Sequence, residues 1–227
     1  MLCILACLAR AVFNISLIHA FVVPSVDEHM AFAEKCSYTI TMALPLEVEY
    51  YTYADFLEWD EDFRAELLDG EIVMMAPPSS KHQRVSMELS FQIRSYLEGK
   101  TCKVFTAPFA VRLFPQKDKS DDTVFEPDLA VICDPEKLDE KGCNGAPDMV
   151  IEIISPSTAR YDRIVKFKKY QNAGVREYWI VDPEIKSVQV CILENGRYVM
   201  YVYDETEKAP VSVLKGCEID LQKIFEE

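Results

Sequence analysis

The sequence has few of the residues that form zinc sites and no excess of positive charge. It contains three histidines, and its eight cysteines include no CxxC pair, so the spacing of zinc ligands is absent. Lysine and arginine number 24 against 38 aspartates and glutamates, giving a formal net charge of −14. This charge excludes broad, sequence-independent binding to phosphate backbones, so any nucleic-acid contact must be local. A bound metal would be expected to have oxygen ligands.

The cysteines are scattered along the chain, and this spacing predicts free thiols in a reducing compartment. We therefore expect a cytoplasmic protein. The chain has 227 residues and a mass of 26.0 kDa. Of these residues, 49% are hydrophobic and 27% are charged. That size and composition suit the core of one α/β domain.

The one long apolar run lies at the start of the chain, in residues 1–23, and Arg10 interrupts it. The run is long enough to span a bilayer, but it lacks the basic start and the clear cleavage site of a secretory signal. Ordinary domain patterning begins at Met42. We expect residues 1–41 to be an extension outside the fold, residues 42–227 to form the domain, and no association with membranes. A signal or a membrane anchor is the alternative.

The order of the predicted elements indicates a mixed α/β fold. The first predicted helix begins at Thr52 and is resumed up to Gly70. A second helix is predicted over 79–100, where apolar residues recur every four positions, and a third over 157–173. Strands are predicted in 71–78, 103–115, 127–134, 148–154 and 176–182, followed by a hairpin across 195–196 and a last helical turn at 221–225. Segments 116–126 and 135–146 are predicted loops. This order favours a mixed sheet with helices on both faces and a β-rich C-terminal extension.

Glu152 stands in the middle of an apolar strand, where an uncompensated charge is costly. The strand period of two places Glu152 on the same face as Val150 and Ile154. Asp128 begins another apolar strand. If the two strands are neighbours, the two carboxylates meet and repel each other, and a divalent cation such as Mg²⁺ or Mn²⁺ would relieve that repulsion.

The segment that follows Glu152 is a local cationic patch on this acidic chain. Positions 155–176 hold six basic residues and one acid, Asp162. On a period of 3.6 residues, Asp162, Lys166 and Tyr170 share one side of the predicted helix. Lys166 is therefore the candidate partner of Glu152, and the remaining basic residues are interpreted as a solvated face.

Three segments resemble the Uma-type restriction endonuclease family, a branch of the PD-(D/E)xK nuclease superfamily. They are "RAELLDGEIVMMAPPSSKHQ", "EPDLAVICDPEKLDEKGCNGAPDMVIEIISPST" and "DRIVKFKKYQNAGVREYWIVDP". The resemblance covers about residues 42–225, with the motifs in order. It implies a restriction-endonuclease-like α/β core that hydrolyses phosphodiester bonds of DNA with Mg²⁺ or Mn²⁺.

The resemblance also nominates site residues. Asp128 and Glu152 would be the metal ligands, and Glu66, placed on the first helix, would be a third acid that contacts the metal through water or acts as a base. The superfamily lysine expected two residues after the acid is absent, because Ile154 stands there. The basic group has then moved to Lys166, which would orient the water or bind the phosphate.

Each nominated residue also has a structural interpretation. Glu152 and Lys166 can form an ion pair that needs no metal, Asp128 can satisfy amides at a strand start, and Glu66 can be a solvated helix acid. His82 matches a position that the family tends to fill with histidine, and it either lines the cleft or only begins a helix.

Three functions remain open on the sequence. The first is a Mg²⁺-dependent DNA endonuclease, for which a homodimer would be natural if both strands of a duplex are cut. The second is a catalytically inactive module of the same fold that binds protein or nucleic acid. The third is a two-carboxylate hydrolase of sugars, which needs neither the metal nor the basic helix.

Overall fold

The computed structural model describes residues 49–60 and 62–226. The chain begins with helix α1 (Tyr53–Phe56), strands β1 (Ala65–Leu68) and β2 (Glu71–Met74), and the long helix α2 (Ser80–Tyr96). Strands β3 (Lys103–Thr106), β4 (Ala110–Arg112), β5 (Val124–Phe125), β6 (Leu129–Ile132), β7 (Leu138–Asp139) and β8 (Gly142–Asn144) follow. Next come β9 (Met149–Ile153), a π-helical segment (Tyr161–Lys166), helix α3 (Phe167–Ala173) and β10 (Glu177–Asp182). The last elements are β11 (Ser187–Glu194), β12 (Arg197–Asp204), β13 (Lys208–Val211), β14 (Cys217–Asp220) and helix α4 (Leu221–Phe225).

Two six-stranded sheets make up most of the fold. The central sheet has the order β12-β11-β10-β9-β6-β3, in which β9 and β10 are parallel and the other pairs are antiparallel. The second sheet has the order β2-β1-β5-β4-β8-β7, and β13 pairs with β14 separately. The predicted mixed α/β architecture is therefore confirmed.

The faces of the central sheet carry different helices, as the sequence predicts. Met149, Ile151 and Ile153 of β9 pack in one apolar cluster with the α2 residues at positions 85, 89 and 93. Val150 and Ile154 pack in a second cluster with Tyr170 of α3. Because successive strand residues point to opposite faces, α2 and α3 lie on opposite sides of the sheet.

The first predicted helix is wrong beyond Phe56. Ala65, Glu66 and Leu67 are buried in strand β1, which pairs with β2 on one side and with β5 on the other. Alanine, glutamate and leucine favour helices intrinsically, but pairing with distant strands overrides that weak preference. Glu66 therefore comes from a strand and not from a helix.

Two segments predicted as loops also contain short strands. Strand β5 lies within 116–126, and β7 and β8 lie within 135–146. Strands of two or three residues are too short to show a period in the sequence. The hairpin across Asn195 and Gly196 is confirmed, and both residues have the positive φ (51° and 79°) that a tight hairpin turn requires.

Cys102 and Cys133 form a disulfide, so the prediction of free thiols is wrong for this pair. They lie 31 positions apart in the sequence, next to the antiparallel strands β3 and β6, whose pairing brings them together. Sequence spacing alone could not reveal this, because the contact depends on sheet register. Cys143, Cys191 and Cys217 are free and buried.

Within the described ranges, no helix combines the length and the apolar character that crossing a bilayer requires. The predicted extension, residues 1–41, lies outside those ranges.

Candidate active site

The ammonium group of Lys166 is the centre of the candidate site. Nζ donates hydrogen bonds to Glu66 Oε1 at 2.8 Å and to Glu152 Oε1 at 2.9 Å, and it lies 3.8 Å from Asp162 Oδ1. The Lys166 side chain is 5% exposed, and both glutamates are equally buried. A buried ammonium group is tolerated here because carboxylates compensate its charge.

Lys166 links the two sheets. Glu152 belongs to β9 in the central sheet, and Glu66 belongs to β1 in the second sheet. Lys166 ends the π-helical segment, which replaces the first turns of the predicted helix over 157–173. The ring centroids of Phe125 and Tyr161 lie 5.3 Å and 5.5 Å from Nζ, within the range of cation–π attraction.

Tyr170 is a further member of the site. Its hydroxyl donates to Glu152 Oε1 at 2.7 Å, and its side chain is fully buried. Sequence analysis placed Tyr170 on the same side of the helix as Lys166 but gave it no role. The four-residue spacing from Lys166 was the available signal.

Asp128 lies at the start of β6, beside β9. Leu129 pairs with Ile151 in the antiparallel ladder, and this register, extended by one residue, sets Asp128 opposite Glu152. Asp128 Oδ2 accepts the amide hydrogen of Ile153 at 2.7 Å and lies 3.2 Å from His82 Nε2. The predicted meeting of strands β6 and β9 is thus observed, and the amide contact expected of a strand-start aspartate is present as well.

His82 enters the site from the first turn of α2, which Ser79 caps by accepting the His82 amide hydrogen. Burial acts to lower the pKa of His82, but the Asp128 carboxylate and the Ile153 carbonyl outweigh burial and raise that pKa above its ordinary value. His82 therefore contacts Asp128 and is mostly buried.

Glu126 is a second residue that sequence analysis missed. Its amide donates to Glu66 Oε1 at 2.9 Å, and its own half-buried carboxyl lies near that glutamate. Burial, followed by the charge of Glu66, raises the pKa of Glu126. The glutamate directly before the "PD" of the motif was the signal.

Acidic groups outnumber basic groups in the cluster, because Glu66, Glu152 and Asp162 surround one ammonium group. Burial and the neighbouring carboxylates raise the pKa of Glu152 well above its usual range, against the opposing charge of Lys166. Burial acts to lower the pKa of Lys166, but the three carboxylates hold it well above its ordinary value. Lys166 is therefore positively charged at neutral pH, and the cluster has an affinity for a further proton or cation.

Asp128 and Glu152 offer carboxylate oxygens, the ligand type that a hard divalent cation prefers. In the described part of the chain, Asp128 forms hydrogen bonds only through Oδ2, and Glu152 only through Oε1. Within the same residues, Oδ1 of Asp128 and Oε2 of Glu152 accept none. Over the same residues, no group of three or more histidine, cysteine, aspartate or glutamate side chains is arranged to hold a metal ion. Two carboxylates completed by water and substrate oxygens are the usual ligands of Mg²⁺.

Comparison with known proteins gives a family, a fold and two relatives. A family model named Uma2 and described as "Putative restriction endonuclease" matches residues 53–222. Two proteins of Synechocystis sp. are similar in sequence. The protein slr1290 is 30% identical over 160 residues, which are 68% of this chain and 80% of that relative. The protein sll1609 is 26% identical over 136 residues, which are 58% of this chain and 74% of that relative.

A crystal structure of a "putative nuclease belonging to DUF820" from Anabaena variabilis has the same fold. It superimposes with a TM-score of 0.63 at 22% identity, over 77% of this chain and 97% of that chain. The family model spans most of the chain, including every residue of the Lys166 cluster, Asp128 and His82. The protein therefore belongs to the Uma2 family of restriction endonuclease-like proteins.

Proposed function

We propose that the protein is a metal-dependent endonuclease that hydrolyses phosphodiester bonds of DNA with Mg²⁺ or Mn²⁺. The observation that carries this proposal is the buried Lys166, which Glu66 and Glu152 share at 2.8 Å and 2.9 Å, with Asp128 opposite Glu152 in the ladder. An enzyme of this kind acts where the DNA is, so we place it in the cytoplasm.

Asp128 and Glu152 would hold the cation, and each has one carboxylate oxygen that accepts no hydrogen bond within residues 49–60 and 62–226. A cation bound there lowers the pKa of a water molecule and stabilises negative charge on phosphate oxygens. The excess of carboxylates over ammonium groups supports this assignment, because a cation offsets the repulsion that raises the pKa of Glu152.

Lys166 acts in the proposal as a charged hydrogen-bond donor. Because its pKa is raised, it does not accept a proton near neutral pH, which argues against a role as general base. Two of its three hydrogens point to Glu66 and Glu152, and Asp162 at 3.8 Å is too distant for a hydrogen bond. The third hydrogen remains for a phosphate oxygen or a water molecule.

Glu66 and Tyr170 are positioning residues in this proposal. Glu66 is held by the Glu126 amide and in turn fixes Lys166, while Tyr170 fixes the orientation of Glu152. His82 fixes Asp128 on the other side. Such supporting contacts keep both cation ligands in place before the substrate binds.

The test is nicking of supercoiled plasmid with Mg²⁺ or Mn²⁺ by the wild type, Asp128→Asn and Glu152→Gln. We expect each substitution to reduce the rate by at least about a hundredfold, because it removes a ligand charge. Glu218→Gln, which changes an exposed carboxylate on β14, is the matched control and should cut at the wild-type rate. Nicking that survives in both variants would overturn the site, and nicking that survives EDTA would favour a metal-independent hydrolase.

The alternative is an inactive module of the same fold that binds protein or nucleic acid. It is favoured by one observation, that Lys166 and Tyr170 already satisfy one oxygen of Glu152 without a cation. Calorimetric titration with Mn²⁺ separates the two functions: the endonuclease binds the ion and loses it in Glu152→Gln, whereas the inactive module releases no binding heat and cuts no DNA.

A further inference from the structure

The outer edge of β12 is a surface on which a further strand can pair. β12 is the last strand of the central sheet, and in the part of the chain described here it pairs only with β11. Four consecutive apolar residues on it are exposed, namely Val199 (38%), Met200 (45%), Tyr201 (46%) and Val202 (63%). An open edge offers a row of unpaired amide and carbonyl groups in addition to these side chains.

The other edges of the two six-stranded sheets within residues 49–60 and 62–226 are protected, and the edge at β12 is not. β3 has four residues, starts with the exposed Lys103 and is followed closely by Pro108. β2 has four residues and is followed by two prolines, and β7 has two residues. β12 has eight residues with neither a charge nor a proline between its ends. Natural proteins protect an unpaired edge strand by short length, lysine or proline. Because β12 has none of these features, we expect another strand to pair with its edge.

The charges at the two ends of β12 identify the partner. Arg197 begins the strand, Asp204 ends it, and Glu205 follows directly after it. In an antiparallel arrangement of two copies, the basic end of each strand lies beside the acidic end of the other, while the apolar residues face one another in the middle. A parallel arrangement would instead place like charges together.

We propose that a second copy of this chain pairs with β12, antiparallel, and joins the two central sheets into one. Strict two-fold symmetry requires one residue to lie opposite its own copy. With Tyr201 on the axis, Met200 faces Val202 of the partner subunit and Arg197 faces Glu205 of the partner subunit. Glu205 at each end of the seam is thereby paired with an arginine in an otherwise acidic protein.

This inference is independent of the proposed function. β10 and β11 separate β12 from β9, which carries Glu152. Breaking the seam should therefore leave the Lys166 cluster intact, and failure of either proposal can be recognised without the other.

Sedimentation equilibrium of the full chain tests the dimer. We expect the wild type to have about twice the monomer mass of 26.0 kDa. Met200→Lys should raise the dimer dissociation constant by about a hundredfold or more, because a lysine from each copy would be buried at the seam. Met87→Lys makes the same change on α2, where Met87 is 69% exposed, and should leave the mass unchanged. Thermal melting of both variants shows whether each is folded.

Cysteine cross-linking tests the register. Tyr201→Cys should form a covalent dimer under mild oxidation, because only the residue on the axis faces its own copy. Val199→Cys and the wild type, which controls for native thiols, should not. Arg197→Glu should weaken the dimer, and adding Glu205→Arg should restore it.

Three results would overturn the proposal. The first is a wild-type monomer at about 100 µM. The second is a monomer whose β12 amides exchange slowly, since another segment of the chain would then cover the edge. The third is a dimer that survives Met200→Lys with its mass unchanged.

Discussion

Glu152 and Glu177 are two buried carboxylates in adjacent strands, and they lie on opposite faces of the same sheet. Glu177 in β10 is fully buried on the α2 side, where Oε1 accepts from the Trp179 indole at 2.7 Å and Oε2 accepts from the Val213 amide at 2.8 Å. Both oxygens of Glu177 are thus satisfied by its own chain. Glu152 has a cationic partner, and one of its oxygens accepts no hydrogen bond from the residues that the structure describes.

The difference separates a structural acid from a candidate functional one. Burial is the largest cause of the raised pKa of both groups. At Glu177, hydrogen-bond donors and, last, the charge of Arg176 oppose burial, and the Val213 amide ties β10 to the segment before β14. At Glu152 further carboxylates add to it, which gives the site its affinity for positive charge. Burial alone would not distinguish the two residues, but the neighbours of each carboxylate do.

The largest effect on stability is expected from Lys166→Met. The change leaves buried carboxylates without their cation and should lower the free energy of unfolding at neutral pH by about 3–5 kcal/mol, measured by urea denaturation. The pKa of Glu152 is raised in the folded protein. The variant should therefore become more stable as the pH falls and Glu152 is protonated, and less stable as the pH rises through that pKa. A loss below about 1 kcal/mol would show that the cluster does not depend on the ammonium group.

A smaller effect is expected from Glu177→Gln. The amide offers one oxygen, so one of the two donors loses its acceptor, and the free energy of unfolding should fall by about 1–3 kcal/mol. Plasmid nicking and Mn²⁺ binding should be unchanged in this variant, in contrast to Glu152→Gln. Equal losses of nicking in both variants, each measured on folded protein, would contradict the distinction between the two carboxylates.

The smallest effect is expected from Tyr170→Phe. It removes one hydrogen bond to Glu152 and keeps the aromatic ring that packs against Phe125, with ring centroids 5.6 Å apart. We expect a loss of about 1 kcal/mol in stability. If Tyr170 fixes a cation ligand, the affinity for Mn²⁺ should also fall by about tenfold. Tyr198→Phe, which removes a hydroxyl bound to the Val175 carbonyl, is the matched control and should leave that affinity unchanged.

Most of the central sheet could be predicted from the sequence because its signals are local. The alternation in β9 places Glu152 correctly, the four-residue period identifies α2, and Asn195–Gly196 identifies the last hairpin. The second sheet could not be predicted in the same way, because most of its strands are short and are defined by distant partners. Glu66 was consequently placed on the wrong kind of element.

The sequence nominated several residues that the structure brings together, but it did not show their contacts, and it missed Tyr170 and Glu126. Motif resemblance nominated Asp128, Glu152, Lys166 and Glu66, but no local pattern shows that one ammonium group joins residues 66 and 152. The π-helical turn that ends at Lys166 has no sequence signature. The amide of Ile153 on Asp128 and the hydroxyl of Tyr170 on Glu152 likewise depend on tertiary packing.

The pairing of Lys166 with Glu66 spans a sequence separation of 100 residues and joins two sheets. Bringing such distant groups together is entropically expensive, so this contact is expected among the last to form when the chain folds. An incompletely folded molecule would then hold the acids and the amine apart. The cluster can therefore act only after the two sheets have packed together.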